Sequence, residues 1–130
     1  MRVAKFISTA GFAALAFTAL PLAAFAVNVS SNDGYGEQHS THWYSDGAEV
    51  SGDLRSTHGD KVYYQGSVAY SLNIDYKVGR YTSDTSSTTA VTRGGTVRKG
   101  SGGLQGVRVK VCKNNSLSPD SCGPYALIPH

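Results

Sequence analysis

The sequence predicts a small all-β domain, an antiparallel sandwich or partly open barrel of five to seven short strands, on three observations. In residues 62–78 the even positions Val62, Tyr64, Val68, Tyr70, Leu72, Ile74, Tyr76 and Val78 are apolar or aromatic around Gly66, while Gln65, Ser67, Ser71, Asn73, Asp75 and Lys77 stand between them. That period of two places one set against a core and the other in water, as a strand does and a helix does not. Residues 107–111 repeat it, with Val107, Val109 and Val111 against Arg108 and Lys110. No window joins helical spacing to capping residues, and no internal repeat is visible.

Residues 1–26 read as an export signal outside the fold. Arg2 and Lys5 precede an apolar run over 13–22, and Ala24-Phe25-Ala26 is the small-x-small pattern that a signal peptidase cuts. The run is shorter than the ~20 residues of a spanning helix, so no membrane span is expected and the mature chain, from Val27, is secreted. It keeps ten Lys and Arg against nine acids. A chain of this size buries only about 60–65% of its unfolded surface, so a covalent staple matters. Cys112 and Cys122 are the only cysteines. In an exported chain the simplest reading is a structural disulfide closing a local loop, worth about 2–3 kcal/mol. Asn114, Asn115, Pro119 and Asp120 between them do not form a zinc set.

Residues 27–46 look unlike the rest. Apolar side chains occur only at Val27, Val29, Tyr35, Trp43 and Tyr44 among Ser, Asn, Gly and Thr, too few to order the segment alone. It is expected to be a flexible N-terminal arm that becomes a strand only when an edge is offered to it, with Val27, Val29, Trp43 and Tyr44 as the partner-binding residues. Its deletion is expected to spare the all-β domain of residues 47–130.

Within that domain residues 47–55 alternate Ala48 and Val50 against Glu49 and Ser51, and Gly59-Asp60 turns the chain into the central stretch. At about 3.3 Å per residue, residues 62–78 are too long for one strand. A kink at Gly66, dividing the stretch into 61–64 and 68–78, preserves the phase. Residues 88–93 alternate, Gly94-Gly95 interrupts them, 96–99 resume, and 100–103 read as a flexible connector. The strand 107–111 ends in Cys112, the disulfide loop follows, and 125–128 close the chain.

Chemistry is sparse. His39 and His42, with Glu37 beside them and His58 further on, do not make a metal site, because an i, i+3 histidine pair in extended chain does not share a face and the zincin pattern needs i, i+4 on a helix; the histidines read as solvated loop residues. No metal or other cofactor is expected. No G-x-S-x-G elbow is present, both cysteines are committed, and no Ser, His and Asp fall in a recognisable order. The chain is therefore expected not to be an enzyme. Arg93, Arg98, Lys99, Arg108, Lys110 and Lys113 read as solubilising charge rather than as a nucleic-acid surface, since acids nearly cancel them and no aromatic interleaves. Asn28-Val-Ser30 and Asn114-Asn-Ser116 match the glycosylation sequon.

An Ala-rich leader, a polar arm with Trp43 and Tyr44, the alternating stretch followed by Gly79-Arg80-Tyr81-Thr82, and the closing strand 107–112 with its short disulfide loop resemble the small secreted subunit of streptomycete umbrella toxin particles. The resemblance covers most of the mature chain and rests on layout. It implies a non-enzymatic adaptor that binds protein subunits by strand addition, linking a lectin-like subunit to a large toxin-bearing polypeptide in an antibacterial particle. The chain also resembles secreted bacteriocins of the lactococcin 972 type, which implies a direct-acting inhibitor of a target cell; its length and nearly neutral mature charge favour the first likeness.

Overall fold

In the computed structural model, which describes residues 26–71, 74–100 and 103–130, the chain is all-β: nine strands among the described residues and no helix. They are β1 (Val27–Ser30), β2 (Gly34–Tyr44), β3 (Gly47–Ser56), β4 (Val62–Ser71), β5 (Ile74–Arg80), β6 (Val91–Arg98), β7 (Gly106–Lys113), β8 (Ser121–Cys122) and β9 (Ala126–Pro129). The leader expected over residues 1–26 lies outside the described residues except for Ala26.

Two antiparallel sheets stack as a sandwich. The first has the order β1-β2-β3-β6. The second has β5-β4-β7, and β8 and β9 share the far side of β7, one pairing Cys112 and Lys113 and the other Gly106 to Val109. The chain crosses between sheets after β3. It returns through residues 81–90, which are tied down by Ser56 N–H donating to the Ser87 carbonyl at 2.7 Å and by a reciprocal Val62–Thr85 bridge at 2.9 Å. Val29, Ala48, Val50, Leu54 and Val97 of the first sheet meet Val62, Tyr64, Val68, Val107, Val109, Val111 and Ile128 of the second. Cys112 and Cys122 are bonded.

The polar segment 27–46 is not a free arm. It is β1 and β2, paired in register with each other and with β3, and Val29 is 2% exposed in the core. The edge it needs is offered by its own domain. Its low apolar content has a steric reason, because the inward positions of β2 admit side chains from the other sheet. A Cβ on Gly34 would stand 2.9 Å from Val111 Cγ1, and one on Gly36 would stand 1.7 Å from Tyr64 Oη.

Residues 62–78 divide elsewhere than at Gly66. β4 runs straight through Gly66, and the chain has reversed by Ile74, giving a β4–β5 hairpin with register shifts at Gly66/Ser67 and Ala69/Ser71. Gly66 marks a close approach, since a Cβ there would meet Val97 Cγ2 at 2.8 Å and Tyr81 Cδ1 at 3.2 Å. The even phase does face the core at Val62, Tyr64 and Val68, but the odd face is also covered at Tyr63, Ser67 and Ala69. Arg80 lies 3.8 Å from the Tyr63 ring centroid, and Ser67 Oγ bonds Tyr125 Oη at 3.1 Å. Tyr76 is opposite Val68 in register yet 44% exposed, because β5 is an edge strand. Leu72, and the side chain of Ile74, expected in the core, lie outside the described residues. β6 passes through Gly94-Gly95 without a break.

Candidate functional site

The four residues expected to meet a partner are separated by the fold. Val29 is core, Val27 packs against it, and Trp43 lies on the inward side of β2 with its ring 4.7 Å from that of His130. Tyr44, half-buried, takes the Arg98 guanidinium over its ring at 4.2 Å and the His42 ring edge-on at 5.0 Å. Cohesion of the domain thus uses the apolar surface of Val27, Val29 and Trp43.

Five of the six basic residues of the last third are engaged within the domain, and Lys99 is exposed. Arg108 pairs with Asp75, Lys113 with Asp60 at 3.4 Å and Arg98 with Asp46 at 2.7 Å. Lys110 stands 4.5 Å over the Tyr125 ring, so an aromatic does interleave with this strand. The Arg98 hydrogen bond holds the Asp46 carboxyl below the usual carboxylate range, and the Tyr63 hydroxyl does the same for Asp120.

The sandwich is shut on one side and open on the other. On the shut side β1 packs against β9 and β7, and Gly123 fits where a Cβ would stand 2.3 Å from the Ser30 carbonyl oxygen. On the open side β5 and β6 each pair with a single strand among the described residues. The β5 edge is interrupted by two register shifts and carries Asp75, Lys77 and Arg80, devices that discourage a new strand. The β6 edge is uninterrupted, its register against β3 continuous for eight residues, and its two charges are engaged within the domain, Arg93 at the Asp84 carbonyl at 3.0 Å and Arg98 at Asp46.

Which backbone groups of β6 face away from β3 follows from one bond. Lys99 N–H donates to the Asp46 carbonyl at 3.1 Å, one step beyond the Gly47–Arg98 pair. Antiparallel ladders alternate hydrogen-bonded and non-hydrogen-bonded pairs, so Val97, Gly95, Arg93 and Val91 bond to β3. Thr92, Gly94 and Thr96 turn their N–H and C=O away from it.

A second feature lies on the outer face of the first sheet. Glu37 and Asp53 are direct cross-strand partners, as are Tyr35 and Arg55. The ladder shifts between Gln38 and Ser40, leaving His39 as the extra residue with Nε2 3.7 Å from Asp53 Oδ1. His39 is thus on a strand, exposed at its side chain, and not in a loop as expected. A shallow concavity of about 200 Å³ lined by Tyr35, Gly36, Glu37, Asp53, Arg55 and Ala90 adjoins the cluster. Asp53 escaped the sequence reading because nothing local in the chain links it to Glu37; only strand register does.

Comparison with family models, with curated proteins and with solved structures finds no match.

Proposed function

We propose that this chain is a secreted, non-enzymatic adaptor that takes a strand of a partner protein onto the free edge of β6, joining a lectin-like subunit to a large toxin-bearing polypeptide in an antibacterial particle. The observation that carries the reading is the unbulged β6 edge, where Gly94 and Thr96 offer donors and acceptors in a row and the Thr92 N–H continues it, the Thr92 carbonyl already accepting from Arg93 Nη1 at 2.9 Å. A paired strand satisfies these groups with backbone alone, the mode by which sheet edges bind peptides. Each hydrogen bond contributes a net of roughly 0.5–1.5 kcal/mol, and fixing each partner residue costs about 1–2 kcal/mol. Side-chain contacts must therefore supply the surplus. Tyr44 and Arg98 on the outer face and the exposed Tyr76 on the edge strand β5 are placed to do so.

Thr96→Pro tests the reading, because it removes an N–H that β3 does not use, and edge strands tolerate proline at such a position. The tagged Thr96→Pro chain is expected to melt within a few degrees of the wild type and to lose the subunits that co-purify from the native culture. Gly95→Pro, which breaks the ladder to β3, is expected to unfold the domain. Unchanged co-purification with Thr96→Pro overturns strand addition on β6. Killing by the mature chain alone, with nothing bound to it, overturns the adaptor in favour of a direct-acting inhibitor.

A further inference from the structure

We propose that Glu37, His39 and Asp53 form a binding site for one divalent transition-metal ion of the Zn²⁺ class on the outer face of the first sheet. One ligand atom from each residue lies within 4.8 Å of the other two. Ligands sharing a tetrahedral ion at about 2.0–2.2 Å stand roughly 3.3–3.6 Å apart, so the three side chains close the site by rotating inward by about an ångström.

Three features of the face point to a cation. First, Glu37 and Asp53 are directly opposed across β2 and β3, a like-charge juxtaposition that weakens a sheet unless something neutralises it. Asp53 Oδ1 faces His39 Nε2 at 3.7 Å, and among the described residues the Glu37 side chain makes no hydrogen bond or ion pair. Arg55, two residues along β3, is directed over the Tyr35 ring at 5.0 Å instead. Second, the irregularity at His39 shifts the β2 ladder at the residue that supplies the nitrogen ligand, in the way bulges re-aim side chains at sites. Third, the ligand frame is fixed from beneath. Tyr64 Oη, reaching across the sandwich, donates to the Asp53 carbonyl at 2.6 Å, and the adjoining concavity leaves coordination positions open to water or to an acidic group of a ligand. An imidazole beside two carboxylates selects a borderline transition ion over Mg²⁺ or Ca²⁺, which take oxygen ligands.

The test is calorimetric titration of Zn²⁺ into chelator-stripped mature protein with its disulfide intact, repeated for four variants. One ion per chain is expected. Its affinity should fall by about tenfold or more in His39→Ala and in Glu37→Gln, since even an outer partner of a ligand commands that scale. It should be unchanged in His42→Ala and His58→Ala. Circular dichroism of the metal-free variants is expected to match the wild type, because the Glu37 and His39 side chains lie outside the core. Co²⁺ substitution should give visible absorption bands that vanish in His39→Ala. Absence of saturable Zn²⁺ binding, binding that survives His39→Ala, or an equal loss in His58→Ala overturns the site.

Discussion

Gly36 carries no side chain because Tyr64 occupies its place. The tyrosine crosses from the second sheet, buried to the hydroxyl, and anchors the Asp53 carbonyl. Gly36→Ala must push Tyr64 Oη from a position 1.7 Å from the new methyl, with the Asp53 carbonyl oxygen 2.5 Å on another side. Overpacking of this kind costs about 1–3 kcal/mol, and a domain of this size loses ~4–8 °C of Tm per kcal/mol, so thermal melting should show a clear drop. Burial also pushes the Tyr64 hydroxyl up to about 12, and burial raises Tyr81 in the same direction. The raised groups stay protonated in the fold, whereas in the unfolded chain they ionise near 10. The stability they contribute is therefore complete below pH 10 and is lost as pH rises toward 12. Spectroscopic titration of tyrosinate should show these two ionising together with unfolding, after the exposed tyrosines; their ionisation within an intact fold would contradict the burial. That Tyr64 faces inward was legible in the alternation of residues 62–78. That Gly36 must be glycine was not, because the requirement comes from a contact across the sandwich.

At the scale of elements, residues 27–46 show why composition misleads. A strand is recognised by apolar side chains on its inward face, and β2 has Gly34, Gly36 and Gln38 there, since Val62, Val111 and Tyr64 fill the space from the other side. Half of the packing belongs to residues distant in sequence. A chain beginning at Gly47 would remove Val29 and Trp43 from the core that Ala48, Val50 and Leu54 share and leave β3 with one neighbour in place of two. Its circular dichroism should show no cooperative melt, where the composition alone predicts an unaffected fold. Val29→Asp makes the same point in the intact chain, placing a charge at a 2% exposed position; unfolding is expected, because an unpaired buried charge costs more than a domain of this size can spare. The strand 107–111 and the disulfide, by contrast, were readable directly, because valine alternation and a lone cysteine pair are local signals.

At the scale of the molecule, the covalent staple and the open edge sit on opposite sides. Cys122 joins β8 to β7 on the side where Gly123 meets Ser30, whereas β6 ends the first sheet at its other edge. The loop between the cysteines is also held without the bond, by the Tyr63 hydroxyl donating to Asp120 and by Asn115 N–H donating to Asp120 Oδ1 at 3.0 Å. The central valines of β7 pair with β4 independently of Cys122. Reduction should thus remove a constraint on the unfolded chain rather than dismantle the sandwich. For a loop of this length the cost is about 2–3 kcal/mol, or on the order of 10–20 °C in Tm. The reduced and alkylated protein is expected to keep its β circular dichroism at room temperature and, because β6 is remote from the cysteines, to keep any partner that Thr96→Pro releases. Native protein should show no reactive thiol before reduction. If reduction instead released the partner while the sheets remained folded, the binding surface would have to lie at the disulfide loop and not at β6.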